Sequence, residues 1–194
     1  MHAGAMIEPC LETERVLLRV GREDEAAELL AYIDRNRDYH RRWEPRVPAS
    51  FFTIETQRRG LLRRREEFAR GDSACFLLFD RARGDAGVIG RCNFTEIVRG
   101  PFQACYLGYS VDQRYEGKGY MAEALRGAIP WAFETLGLHR IMANYRPEND
   151  RSGRLLERLG FVREGYARDY LFIDGTWTDH VLTALTNSTP TGGP

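Results

Sequence analysis

The sequence predicts a single domain of the α/β class, and three observations lead to this prediction. Segments with the two-residue alternation of strands are interspersed along the chain with segments that have the periodicity of helices. A glycine-containing turn at 114–121 joins a strand-like segment directly to a helix-like segment. A chain of 194 residues is long enough to bury a core of its own and has an ordinary size for one domain.

Seven strands are expected from the alternation and from the turn residues that bound each segment. They are predicted at 14–20, 74–80, 86–98, 104–111, 139–145, 161–173 and 177–185. Gly100-Pro101 provides a turn before the fourth strand, and Asp174-Gly175 provides a hairpin turn between the last two strands.

Four helices are expected between these strands, at 22–34, 53–70, 120–136 and 150–159. Acidic residues open the first helix, which suits the positive end of the helix dipole. Gly71 and Gly160 follow the second and fourth helices, at the position where glycine commonly ends a helix. A basic, aromatic segment at 36–46 is expected to separate the first two helices.

The domain is predicted to span 11–186, with a flexible N-terminus at 1–10 and a disordered tail at 187–194. Basic and acidic residues both number 28, so a formal net charge of zero gives no whole-molecule attraction to DNA or membranes. No hydrophobic run approaches the roughly 20 residues of a membrane span, and 1–9 lacks the features of a secretory signal. A cytoplasmic protein without DNA or membrane partners is therefore expected.

The four cysteines show no metal-binding pattern. Cys10, Cys75, Cys92 and Cys105 form no Cys-x-x-Cys pair and have no histidines at a spacing suited to zinc. No metal site is therefore expected, and the cysteines within predicted strands are expected to be small buried hydrophobic residues.

Positive charge is concentrated in the segment 35–70, which contains eleven arginines and five acidic residues. Two interpretations are open. The segment is either a solvated face whose arginines pair with nearby carboxylates, or a surface that attracts an acidic partner.

The segment Arg114–Met121 has the composition of an anion-binding turn. Gly117 and Gly119 allow the backbone to approach a ligand closely, and a helix that begins at Tyr120 presents unpaired N–H groups to an anion. A pyrophosphate is the expected ligand, although the Arg-x-x-Gly-x-Gly spacing differs from a P-loop and from the dinucleotide-binding motif. Lys118 is the only lysine of the chain; either it serves the anion or its uniqueness reflects an arginine-rich composition.

Two further motifs follow the anion-binding turn, Asn149-x-x-Ser152 and Gly160-Phe161-x-x-Glu164-Gly165. With these three motifs in order, the chain resembles the GCN5-related N-acetyltransferases (GNAT), which move an acetyl group from acetyl-CoA to an amine. The chain looks closest to the RimJ type, the ribosomal-protein-alanine N-acetyltransferases. The segments that carry this closer match include Trp43-Glu44-Pro45, Val98-Arg99-Gly100, Ala104–Ser110, His139–Tyr145 and Asp179–Leu185. The resemblance implies a mixed central sheet of about seven strands, splayed in the middle and flanked by helices.

The resemblance also implies where acetyl-CoA binds. Its pantetheine arm is expected in the gap between the strands 104–111 and 139–145, and Asn149 is expected to meet the far side of the arm. The strand backbone that pairs with the arm is expected at Tyr109, Ser110 and Val111. The residues expected to hold the pyrophosphate are Arg114, Glu116, Gly117, Lys118, Gly119, Tyr120 and Met121.

For catalysis, the resemblance implies that Ser152 donates a hydrogen bond to the leaving sulfur, with Asn149 beside it; helix capping is the alternative role for both residues. The RimI branch of the superfamily uses a glutamate and a tyrosine at the positions of Asn144 and Leu156, so its mechanism does not carry over. The general base is unassigned, and the candidates are Glu96, Asp169 and Tyr170. An α-amine loses only about 1.4 kcal/mol to protonation at pH 7, against about 4.6 kcal/mol for a lysine, which favours an α-amine acceptor.

Three functions are consistent with these observations. The first is acetylation of an alanine-starting small-subunit ribosomal protein, as the finished N-terminus or a nascent chain, with the segment 35–70 contacting the ribosome. The second is acetylation of a small-molecule amine such as an antibiotic or an amino-acid derivative. The third is a non-catalytic acyl-CoA-binding module. A monomer and a homodimer are both compatible with the sequence.

Overall fold

The computed structural model describes residues 8–84 and 86–188, which form one eight-stranded sheet with helices on both faces. The strands are β1 Cys10–Glu12, β2 Val16–Val20, β3 Ala74–Asp80, β4 Val88–Val98, β5 Ala104–Val111, β6 Arg140–Met142, β7 Val162–Ile173 and β8 Thr176–Thr186. The helices are α1 Ala26–His40, α2 Ile54–Arg70, α3 Tyr120–Thr135 and α4 Asp150–Arg158. Most of the predicted flexible N-terminus, 1–7, and of the predicted disordered tail, 189–194, lies outside the described residues.

The sheet is mixed, as predicted, with the order β1-β2-β3-β4-β5-β6-β8-β7. Only β5 and β6 run parallel, and the other neighbouring strands are antiparallel. The sheet has one strand more than the sequence predicted. The additional strand is β1, whose three residues pair with β2 and are too few to show an alternating pattern.

Apolar side chains bury both faces of the sheet. On one face, α3 and α4 pack against a large cluster in which the rings of Phe76, Phe94 and Trp131 lie in contact. On the other face, Leu29 and Tyr32 of α1 form a smaller cluster with side chains of α2, β3 and β4. We refer to these two faces below as the α3/α4 face and the α1/α2 face.

Helix α1 is longer than the sequence predicted, because it continues to His40 and includes the start of the segment expected to be irregular. Asn36 explains part of the difference. Its Nδ2 donates to the carbonyl of Tyr32 at 2.8 Å, and its Oδ1 accepts from the amide of Gln113 at 3.0 Å. Asn36 is buried, and this tertiary partner is absent from local sequence patterns.

The sheet is splayed in the middle, as predicted. β6 pairs with β5 only from Ala104 to Tyr106, and the chain then turns away. The amides of Ala143 and Tyr145 donate to carbonyls of β8 instead. The predicted strand 139–145 is therefore regular only over Arg140–Met142. From 107 to 111, β5 is paired with β4 alone, which leaves one edge of its backbone facing a gap.

Candidate active site

The backbone of β5 beside the gap contains the three residues predicted to pair with a pantetheine arm. Their side chains alternate between the two faces. The Tyr109 hydroxyl reaches Ser152 of α4, and Ser110 Oγ accepts from the hydroxyl of Tyr32 at 2.8 Å. The carbonyl of Val111 accepts from Nε2 of His40 at 3.1 Å. The gap is therefore held open by side chains anchored on both faces of the sheet.

The predicted anion-binding turn lies where β5 leads into α3. Gly117 and Gly119 have φ angles of +70° and +83°, which side chains other than glycine rarely adopt. A Cβ added at Gly117 would meet no atom within 4 Å, so the backbone there is open to a ligand. Gly119 occupies the N-cap position of α3, and because it has no side chain, it does not satisfy the first amides of the helix. Among the residues the structure describes, no protein group accepts from the amides of 117–121.

The first part of the turn is held by internal hydrogen bonds. The amides of Arg114, Tyr115 and Glu116 donate to Asp112 Oδ1, the Asp112 carbonyl and the Gln113 carbonyl. The amides available to an anion are therefore those from 117 onward. The structure places the predicted residue Arg114 at the base of the turn, with its backbone N–H already occupied.

Asp112 is the buried carboxylate that organises the turn. Its oxygens accept from the guanidinium groups of Arg114, at 2.9 and 3.1 Å, and of Arg35, at 2.5 Å. Burial by itself raises the pKa of Asp112, but the hydrogen bonds from Arg114 and Arg35 outweigh it and hold the pKa well below its usual range. The carboxylate is therefore ionised at neutral pH and fixes Arg114 and α1 relative to the turn.

Glu116 is not a free carboxylate. Its Oε2 accepts from the hydroxyl of Tyr39 at 2.5 Å and forms an ion pair with Arg151 of α4. Arg151 also donates to the Tyr39 hydroxyl at 2.8 Å. These contacts link α1, the turn and α4, and they neutralise a negative charge that would otherwise repel a bound anion.

Positive charge surrounds the turn. A cavity of about 590 Å³ beside it is lined by Arg35, Arg83, Arg114 and Lys118 together with tyrosine side chains and Asp80. Lys118 Nζ donates to the carbonyl of Arg114 at 2.7 Å, so this ammonium group stabilises the turn itself. The surroundings suit a ligand with several negative charges.

The start of α4 places Ser152 and Asn149 as predicted by sequence, and gives Asn149 a capping role. Asn149 Oδ1 accepts from the Ser152 amide at 3.1 Å. The Ser152 hydroxyl lies 2.7 Å from that of Tyr109. α4 approaches the sheet closely because residue 153 is glycine: an added Cβ would lie 2.9 Å from the Tyr145 hydroxyl oxygen. Gly153 therefore allows the start of α4, which carries Ser152, to lie against Tyr145.

Burial raises the pKa of Tyr109 to about 12. Tyr109 is therefore protonated at neutral pH, and its hydroxyl can donate to Ser152. This leaves the Ser152 proton free to point into the gap. The side chain of Tyr109 was missed by the sequence reasoning, which considered only its backbone; the alternation of β5 and the position of Ser152 together were the available signal.

The three candidate bases occupy different positions. The Tyr170 hydroxyl lies 3.3 Å from that of Tyr106 and accepts from Asn144 Nδ2 at 3.1 Å. The hydrogen bond with Tyr170, and then burial, raise the pKa of Tyr106 to about 12. Glu96 and Asp169 are exposed, in positive-φ positions where the strand pairing shifts register. Only Tyr170 belongs to a polar network beside the splay.

Most arginines of the basic segment 35–70 are paired with carboxylates, some within the segment and some from distant parts of the chain. Eight of its eleven arginines form ion pairs, namely Arg35, Arg41, Arg46, Arg58, Arg59, Arg63, Arg65 and Arg70. Arg37 and Arg42 lie over the rings of Phe52 and Trp43. Arg64 is the remaining arginine.

Within 8–84 and 86–188, no group of three or more acidic, cysteine or histidine side chains is arranged to hold a metal ion. In the same residues, no helix has both the length and the apolar character needed to cross a membrane. Cys75, Cys92 and Cys105 are buried thiols, as predicted, and Cys10 is exposed.

The chain matches one family model and a relative of known activity. A model described as an acetyltransferase (GNAT) domain matches residues 15–162. The chain is also 47% identical, over 185 residues, to the [ribosomal protein uS5]-alanine N-acetyltransferase of Escherichia coli K12. That alignment covers 94% of this chain and 93% of the relative.

Two solved structures share the fold over nearly their whole length. The ribosomal-protein-S5-alanine acetyltransferase from Vibrio fischeri superposes with a TM-score of 0.88 at 38% identity, covering 94% of this chain and 100% of that one. Mycobacterium smegmatis RimJ in complex with CoA-disulfide gives a TM-score of 0.84 at 26% identity, covering 96% of this chain and 90% of that one.

The positive φ of Gly119 can be tested by substitution. Gly119→Val is expected to lower the affinity for acetyl-CoA at least about tenfold, because a β-branched residue avoids positive φ and would displace the adjacent amides. Isothermal titration calorimetry measures the affinity. Gly137→Val is the matched control, since Gly137 has a φ of +62° at the opposite end of α3. Equal affinity in wild type and Gly119→Val would contradict the assignment.

The buried carboxylate makes stability depend on pH. Because the pKa of Asp112 is lower in the folded state than in the unfolded chain, its ionisation stabilises the fold above about pH 4 and this contribution is lost as the pH falls. Asp112→Asn is expected to reduce the free energy of unfolding by about 1–3 kcal/mol at pH 7. The difference from wild type should shrink near pH 3 in urea titrations. Asp174→Asn, which removes two solvent-screened ion pairs with Arg41 and Arg46, should change stability much less than Asp112→Asn does. An Asp112 difference independent of pH would refute this account.

Proposed function

The chain belongs to the GNAT acetyltransferase family, and from this premise we propose that it acetylates the N-terminal α-amine of an alanine-starting ribosomal protein. It is an acetyl-CoA-dependent N-acetyltransferase. The proposed substrate rests on one observation: the chain is 47% identical, over almost the full length of both chains, to an enzyme named for the alanine of ribosomal protein uS5. We propose a cytoplasmic location, where ribosomal proteins are made.

The residues around the gap fit acetyl-CoA. The unpaired edge of β5 offers backbone groups to the pantetheine amides, and the amides from 117 to 121 offer donors to the pyrophosphate. Arg83, Arg114 and Lys118 add positive charge beside those amides. In this assignment Glu116 and Asn149 act indirectly. Glu116 anchors Arg151, and Asn149 caps the helix that carries Ser152.

Tyr109 and Ser152 supply the proton on the leaving-group side. Acetyl transfer forms a bond between the acceptor nitrogen and the acyl carbon and breaks the bond between that carbon and the sulfur. The thiolate that leaves needs a hydrogen-bond donor. Ser152 can donate to the sulfur while it accepts from Tyr109, because each hydroxyl has one proton and two lone pairs. The buried Tyr109 stays protonated at neutral pH, so it fixes the direction of the Ser152 proton.

Proton removal from the acceptor requires little basicity. An α-amine near pKa 8 is about 10% neutral at pH 7, so loss of its proton to water or to a weak relay is sufficient. Tyr170, Tyr106 and Asn144 form a network of hydroxyl and amide groups that can guide the proton out. We therefore assign Tyr170 to proton transfer and leave Glu96 and Asp169 as exposed residues outside the network.

The acceptor is tested by thiol release from acetyl-CoA with Ala-, Ser- and Met-starting peptides beside a panel of small amines. Turnover with the Ala peptide at a kcat/KM at least about tenfold above every small amine is expected, since a peptide can also contact the walls of the site. Turnover with small amines alone would refute the ribosomal-protein proposal. Tight acetyl-CoA binding without any turnover would instead indicate a non-catalytic module.

The proton relay predicts a ranked series of variants. Ser152→Ala is expected to lower kcat about a hundredfold and leave acetyl-CoA affinity within about threefold, because it removes the donor to the sulfur. Tyr109→Phe should lower kcat by less, since Ser152 keeps its own proton. Steady-state kinetics and calorimetry measure the two effects. Equal losses of kcat and of affinity in Ser152→Ala would assign Ser152 to binding alone, and Tyr170→Phe provides a comparison on the acceptor side.

A further inference from the structure

Arg64 lies on the side of α2 that packs against the sheet. Gln57, Leu61 and Phe68 are the buried residues of this helix, and Arg64 follows Leu61 by three residues and precedes Phe68 by four. Residues at this spacing share one face of a helix. Arg64 and Arg65 are partly buried and Arg63 is exposed; Arg63 and Arg65 pair with Glu67 and Glu8, whereas Arg64 has no such partner among the described residues.

Within the described residues, Arg64 forms no ion pair and no hydrogen bond. Burial lowers the pKa of its guanidinium and outweighs the opposing effect of Cys75. The charges of Arg91 and Arg63 lower this pKa further, and Glu67 offsets them in part. Arg91 is itself paired with Glu44 at 2.8 Å. A partly buried guanidinium without an anion is costly, so Arg64 has donors available to a ligand.

The sheet under this helix face leads directly to the splay. Cys75 of β3, Asn93 of β4 and Gly108 of β5 are paired side by side across three strands. Leu61 packs beside Leu77, which places the next turn of α2, with Arg64, toward Cys75. At about 4.8 Å between strands, the row from Cys75 to Gly108 spans roughly 10 Å.

Gly108 marks the open end of this row. It is exposed although it lies in the middle of the sheet, and a Cβ added there would meet no atom within 4 Å. Beside it, Asn93 Oδ1 is buried without a hydrogen-bond partner, and so is Arg91 Nε. One wall next to the splay thus has the unpaired acceptor of Asn93 and the Nε of Arg91 one strand from β5, and the guanidinium of Arg64 farther away. The acceptor oxygen suits the amine of an acceptor molecule, and the guanidinium of Arg64 suits an anionic group farther along the same molecule.

We propose that Arg64 is a specificity-determining residue that binds a carboxylate in the first residues of the acceptor polypeptide, while Asn93 Oδ1 accepts from its N-terminal amine. Asn93 is the direct neighbour of Cys75, about 4.8 Å away across the strands. An extended chain advances about 3.4 Å per residue, so an acidic side chain within the first few residues can reach Arg64, and positions 2, 3 and 4 cover this range. The same wall repels polyamines, whose second charge is positive. This inference rests on the proposed acetylation of protein N-termini and names the acceptor class more narrowly.

The test uses the full-length enzyme at saturating acetyl-CoA with Ala-starting peptides that carry Glu, Gln or Lys at position 2, 3 or 4. At one of these positions, the wild-type enzyme is expected to show a kcat/KM about tenfold higher for the Glu peptide than for the Gln peptide, because the carboxylate forms a charge-assisted hydrogen bond. The Lys peptide is expected to have the lowest kcat/KM of the three. Glu and Gln peptides of equal kcat/KM at all three positions would overturn the inference while leaving the proposed function intact. Absence of turnover with any peptide would overturn both.

Arg64→Met then assigns the preference to this side chain, because methionine keeps an unbranched apolar stem and removes the charge. The Glu/Gln ratio is expected to fall close to one, with the Gln peptide turned over as in wild type. Arg63→Met, on the exposed side of the same helix, should keep the wild-type ratio. A lowered melting temperature in Arg64→Met with an unchanged ratio would show a structural role and overturn the assignment; Arg64→Lys, which keeps the charge, should restore part of the ratio.

Discussion

The separation of β5 from β6 is the constraint on which the rest of the site depends. The two parallel strands share only three residue pairs, and the chain after β6 forms its hydrogen bonds with β8. The backbone edge of β5 is left without a partner in the middle of a sheet, where an unpaired edge is costly unless a ligand or water satisfies it. A cofactor arm that contains amides is a chemically matched occupant, and both reacting groups can reach the gap from opposite faces.

The two faces divide the reaction between them. Tyr109 and Ser152 approach from the α3/α4 face, where their hydroxyls lie 2.7 Å apart, and in our proposal they serve the leaving sulfur. Tyr106 and Tyr170 approach from the opposite side, where the acceptor amine can enter. The alternation of side chains along a strand makes this division possible, because neighbouring residues of β5 point to opposite faces. A single strand thus positions side chains on both the proposed donor side and the proposed acceptor side.

The turn at 114–121 is held by charged side chains that are themselves fixed by ion pairs. Asp112 is surrounded by two guanidinium groups, and Glu116 is neutralised by Arg151 and Tyr39. Each carboxylate therefore stabilises the turn without opposing an anion. Most of the other arginines near α1 and α2 pair with carboxylates, so the contact of this segment with the ribosome stays a prediction. Arg64 differs from them because its helix face turns it toward the sheet.

The α/β class, a glycine-containing turn between β5 and α3 and the place of Ser152 at the start of α4 follow from sequence alone, because they depend on local periodicity and on glycines that allow positive φ. The length of α1, the three-residue strand β1 and the early end of β6 required the tertiary structure, since their hydrogen-bond partners come from distant segments. The same holds for Tyr109 beside Ser152 and for the unpaired Arg64. Side-chain partners are decided by how helices pack on a sheet, and a linear pattern contains residue types and spacing but not the contacts between elements.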